Sequence, residues 1–110
     1  MPWLLHEDRV LAALEIADRR GDRRRGLLGR DRFDGALLLT PARSVHTFRM
    51  RFPLDVAWCD RDLRVIRTAR VVPNRLPVPP RGTRCVIEAE AGAFEQWGLT
   101  AGLELQVRGD

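Results

Sequence analysis

Residues 43–55 hold the densest set of side chains able to do chemistry. They comprise the imidazole of His46, the hydroxyls of Ser44 and Thr47, the guanidiniums of Arg43, Arg49 and Arg51, and the carboxylate of Asp55. In an enzyme of hydrolase type, His46 would act as general base, Asp55 would orient it and Arg51 would bind an anion. A His and an Asp alone lack the nucleophile and oxyanion donors that a catalytic site needs. The same two side chains also suit a structural task, holding strand ends together by hydrogen bonds to backbone. The stretch therefore points first to a non-enzymatic binding module with a polar site, and second to a small hydrolase using His46 and Asp55.

Other reactive groups add little. Cys59 and Cys85 are each flanked by apolar residues and read as small buried hydrophobes, because a reactive thiol needs an exposed electropositive setting. His6, His46, Asp55 and Glu88 lack the paired spacing of local metal motifs, so no metal and no cofactor is expected. Gly26-Leu27-Leu28-Gly29-Arg30 has no Gly-Lys-Ser/Thr, and its glycines follow a helical stretch where a phosphate loop would precede one.

The 110 residues carry 19 basic and 15 acidic side chains, a net charge of +4. Every basic one is Arg, and the charge is blocked: residues 19–32 hold seven Arg against two Asp, residues 64–84 six Arg and no acid. The two ends of the chain are acidic and residues 33–63 are balanced. Such blocks either pair internally or form a face for an anionic partner. Arg24, Arg25 and Arg30 are candidate anion-binding residues. Nucleic acid binding through 19–32 and 64–84 is a third reading, disfavoured because no stacking aromatic is interleaved with these arginines.

The elements that must position these residues are short. Leu4-Leu5-His6 and Val10 to Ala17 read as strands, and Arg19 to Leu28 as a basic helix that Asp18 could cap. Gly35 to Thr40 is an apolar run of strand length ended by Pro41, and Ser44 to Phe48 looks extended. Pro53 to Cys59 and Arg64 to Val72 make the clearest hairpin. Pro73 to Gly82, with four of the seven prolines, is an extended loop over one face. Arg84 to Glu90 is a strand, Ala91 to Trp97 a helix closed by Gly98, and Leu103 to Val107 a half-exposed last strand. The expected fold is α+β and mainly antiparallel, one domain over residues 1–110, with two short helices and a curled sheet or partly closed β-barrel. A domain of this length buries roughly two-thirds of its unfolded surface without disulfides or metals. With no apolar run of membrane-spanning length and no basic-then-apolar start, a soluble, cytoplasmic monomer is expected.

Several phrases together resemble the domain of unknown function family 192: Arg25-Gly26-Leu27-Leu28-Gly29-Arg30, Asp34-Gly35-Ala36-Leu37-Leu38-Leu39, and Ser44-Val45-His46-Thr47-Phe48 with Met50. Pro53-Leu54-Asp55-Val56 follows, then Val86-Ile87-Glu88 through Gly92 to Gly98-Leu99-Thr100-Ala101-Gly102. The resemblance implies a small β-rich domain of bacteria and archaea, and it brings no established reaction. Many members have Trp-Met-Lys-Asn-Thr where this chain has Phe48-Arg49-Met50-Arg51-Phe52. Arg49 stands where the Ser-x-His-Thr-Phe branch usually has Gly, and Gly102-Leu103 replaces the Gly-Asp of the closing turn. What the motif supports is a ligand-binding surface built from His46, Thr47, Met50, Arg51 and Asp55, with Glu88 nearby. The segment from His46 to Asp55 and the proline loop from Pro73 to Pro80 would form one rim of a pocket, and a small molecule or a protein would be the partner.

Overall fold

The computed structural model describes residues 2–109. In chain order the elements are β1 (Trp3–His6), β2 (Arg9–Ala17), α1 (Arg20–Arg25), β3 (Ala36–Leu39) and β4 (Leu54–Cys59), followed by β5 (Val65–Val71), β6 (Cys85–Glu90), α2 (Ala93–Trp97) and β7 (Gln106–Arg108). The seven strands form one sheet in the order β5-β4-β6-β3-β2-β1-β7. All pairings are antiparallel except β2–β3, where Leu14 to Ala17 run parallel to Ala36 to Leu39. A parallel pair needs a crossover connection, and residues 18–35, carrying α1, supply it.

The central strands β3 and β4 are buried along their whole length, because the sheet is covered on both sides. Strand alternation then sorts the core into two layers. On one face Leu37, Leu39, Leu54, Val56, Trp58 and Val86 pack under Leu27, Val45, Met50 and Phe52. On the other, Leu38, Ala57, Cys59, Cys85, Ile87 and Ala89 pack under Phe94 and Leu99, at α2. The first is the α1 face of the sheet and the second its α2 face.

The sheet is not a closed barrel. β5 and β7 are its two edges, and a single bridge, Arg64 to Glu104, crosses between their approaches. The Val65 N–H donates to Leu103 O (2.9 Å) and the Gly102 N–H to Val65 O (2.8 Å), so the sheet curls until its ends touch at one corner. Beyond that corner, among the described residues, no pairing joins β5 to β7, which is held by β1 alone. The first helix is also shorter than its sequence suggests. It ends at Arg25, where Gly26 turns the chain at φ +52°, and Arg19, not Asp18, is its N-cap, with no side-chain cap. Ser44 to Phe48 forms no strand of the sheet, and a turn begins at Phe48. Among the described residues no helix is long and apolar enough to cross a membrane.

Candidate functional site

The α1 face carries a cavity of about 320 Å³ between the end of α1 and residues 41–46. Glu88, on the central strand β6, lines it. The side chain follows Val86 onto the α1 face, and its cross-strand partners are Leu37 on β3 and Val56 on β4. Glu88 is 2% exposed, and its Oε1 has no hydrogen-bond partner. That oxygen lies against Gly26: a Cβ there would stand 2.9 Å from it. Glycine at 26 is thus required both by the positive φ and by the carboxyl beneath it. Burial pushes the Glu88 carboxyl up to about 7, opposed by the hydrogen bond from the Leu27 backbone.

Above Glu88 the cavity wall is basic. Arg23, Arg24, Arg25 and Arg43 line it, with His46 and Met50 beside them. Among the described residues, none of these arginines has a carboxylate partner; Arg23 donates to the Asp18 carbonyl. The His46 ring stacks on Phe48, centroids 5.1 Å apart, and its Nδ1 accepts the Phe48 N–H at 3.3 Å. A neutral ring bonded this way carries its proton on Nε2, which remains free to donate to a ligand. The site therefore offers a desolvated carboxyl that can accept or donate near neutral pH, an imidazole donor and a guanidinium rim.

The sequence-predicted residues part company here. His46, Met50, Glu88, Arg24 and Arg25 meet at this cavity. Asp55 lies on the α2 face, 6% exposed, where its Oδ2 accepts the N–H groups of Gly92 (2.9 Å) and Phe94 (3.1 Å) and its Oδ1 meets Arg70 Nε at 3.4 Å. It caps the short helix α2 and shares no cavity with His46. Thr47 is fully buried, and its hydroxyl donates to Val72 O (2.7 Å) and accepts the Arg75 N–H (2.9 Å), pinning residues 44–50 to the start of the proline loop. Arg51 points away to Asp31 at 2.6 Å. Arg30 pairs with Glu15 at 3.0 Å and lies over the Phe33 ring. The proline loop does not line the cavity. It is held by Thr47 and by Arg67, which donates to Val78 O while stacking over Trp58.

Sequence reasoning missed Arg23 and Arg43 as wall residues and the depth of Glu88. The available signal was a single acid inside Cys85-Val86-Ile87-Glu88-Ala89, a run too apolar to be half-exposed.

The chain belongs to the DUF192 family, described as "Uncharacterized ACR", whose model matches residues 4–107. None of the curated proteins matches it. Two solved structures share the fold. One is a protein of unknown function from Novosphingobium aromaticivorans, 21% identical with a TM-score of 0.80, covering 96% of this chain and 82% of that one. The other is described as a putative transcription regulator from Sinorhizobium meliloti, 20% identical with a TM-score of 0.80, covering 96% and 91%.

Proposed function

We propose that this chain is a binding module for a small anionic molecule, held in the cavity between α1 and β6. The observation that carries the reading is Glu88 Oε1, buried and without a partner at a cavity walled by guanidiniums. A buried polar atom left unsatisfied costs about 1–3 kcal/mol, which a ligand hydroxyl or amine reaching it would recover. The rim arginines suit a carboxylate or phosphate at the other end of the same ligand. Binding is favoured over hydrolysis because the carboxylate that would orient His46, Asp55, is committed to α2 on the opposite face. Both cysteines also lie in the core layer of that opposite face.

The test is a thermal-shift screen of the intact protein against small organic acids and phosphate esters. Compounds that stabilise the wild type should lose most of their effect in Glu88→Gln, His46→Ala and Arg25→Gln. Hits that stabilise all three variants as well as the wild type would refute the assignment of the site.

A second reading has its own support. Arg43 lines both this cavity and a neighbouring depression with Arg81 and Arg84, and Arg84 in turn lines one with Arg61. Seven arginines thus edge three adjoining hollows, in which Glu88 is the single acid. This regroups the two arginine blocks: Arg30, Arg64 and Arg70 are tied to carboxylates, while Arg43 and Arg61, outside both blocks, join the set. Such a belt suits a nucleic acid backbone, and binding would weaken steeply with salt. No mobility shift of duplex or single-stranded oligonucleotides at low salt would eliminate this reading.

A further inference from the structure

The two cysteines stand directly opposite each other, Cys59 on β4 against Cys85 on β6, and both side chains enter the α2-face core. Nothing in the sequence brings them together, since 26 positions separate them. Their surroundings differ. Cys59 is fully buried, whereas Cys85 is 5% exposed and lines a hollow of about 560 Å³ with Thr40, Pro41, Arg61 and Arg84. A small oxidant can therefore reach Cys85 and not Cys59, and it meets Cys85 beside two guanidiniums.

We propose that Cys59 and Cys85 form a reversible dithiol–disulfide pair, oxidised by a small hydroperoxide that enters through this hollow. The Cys85 thiolate attacks one peroxide oxygen and the O–O bond breaks, giving a Cys85 sulfenic acid and hydroxide or alkoxide, which takes up the proton that Cys85 lost on ionising and leaves as water or an alcohol. Cys59 then attacks the sulfenic sulfur. The S–O bond breaks, the S–S bond forms, and the departing hydroxide takes the Cys59 proton as water. Two thiols are oxidised by two electrons and one peroxide is reduced.

The asymmetry of the pair fits these roles. The side-chain hydrogen bond between the two thiols holds Cys85 below its ordinary value, against opposing effects of burial and of Asp60, and raises Cys59 together with burial. Access assigns the same roles, since the sulfur at the hollow meets the oxidant and the fully buried one resolves it. Directly opposed strand residues have Cβ atoms roughly 4.5–5.5 Å apart, while a disulfide prefers about 3.8 Å. Closing the bond draws β4 and β6 together, and the strain makes the bond easy to reduce again.

The experiment treats the folded protein with hydrogen peroxide near one equivalent, then counts thiols and weighs the protein after quenching. Free thiols should fall from two to none, with a mass loss of two hydrogens, and dithiothreitol should restore both. In Cys59→Ser the sulfenic acid at Cys85 should persist and be trapped by dimedone; in Cys85→Ser the remaining thiol should survive the same treatment. The proposal is overturned if the native thiols persist, if the pair closes only in denaturant, or if Cys59 oxidises as readily in Cys85→Ser.

Discussion

Replacing Glu88 by Gln should turn a pH-dependent fold into one whose stability is flat over the same range. The carboxyl has an ordinary value of 4.5 and is pushed up to about 7 in the folded chain. Below about pH 4.5 it is protonated in both states and contributes nothing to the pH dependence. Between the two values the unfolded chain ionises while the folded one keeps its proton, so stability falls as pH rises, by up to about 1.4 kcal/mol per pH unit. Above pH 7 the whole difference has been lost, on the order of 3 kcal/mol. Gln keeps an oxygen for the Leu27 N–H and never ionises, so the variant should match or slightly trail the wild type at pH 5. At pH 8.5 it should exceed it by roughly 3 kcal/mol, some 10–20 °C in melting temperature for a domain of this size. Urea titrations of both proteins at pH 5, 7 and 8.5 read this directly. A wild-type minus variant difference that does not change with pH would mean that Glu88 is ionised and solvated in the fold, leaving no unsatisfied carboxyl for a ligand to reach.

Two further substitutions separate structural roles from binding roles. Asp55→Ala leaves the Gly92 and Phe94 N–H groups without their acceptor and should cost about 3–5 kcal/mol, since bonds to a charged group are worth roughly 1.5–3 each. Asp55→Asn, which retains one acceptor oxygen, should cost less, and an unchanged urea midpoint in Asp55→Ala would contradict the capping role. Thr47→Val keeps the shape and removes the hydroxyl that joins Val72 O to the Arg75 N–H, so a loss of about 1–3 kcal/mol is expected. In that variant the amides of Asn74 and Arg75 should exchange faster with solvent while those of β6 do not.

The strands were legible because their patterns are simple. Pro53 to Cys59 and Arg64 to Val72 form a hairpin, now seen as β4 and β5, and the apolar run at 35–40 is β3. The charge blocks were legible as blocks but not as a surface. Which arginines find a carboxylate depends on residues far away in sequence, as Arg108 with Asp8 demonstrates. His46 and Asp55 looked like partners because they are nine positions apart. In β4, however, every residue is buried, so the sequence holds no exposed residue to tell which face each side chain takes. Asp55 went to one side and Leu54 and Val56 to the other. The parallel β2–β3 pairing was equally hidden: Arg19 to Leu28 reads as a short basic helix, but a helix of that length does not tell whether the chain crosses over to a parallel strand or turns back.

The last strand has a consequence for how the molecule is made. β7 pairs with β1, so Trp3 stands opposite Arg108 across the sheet. Until residues 106–108 have left the ribosome, the outer side of β1 is an unpaired edge, a template for any other extended chain. β1 and β7 are the strands farthest apart in sequence among the described elements, so their pairing carries the largest loop-closure entropy in the sheet. The β1–β7 pairing is therefore expected to form late, after the β4–β5 hairpin, whose partners lie close together in sequence. A β7 weakened by Val107→Asp would leave the cavity and the thiol pair intact in the folded molecule while raising the share of chains lost to aggregation during refolding.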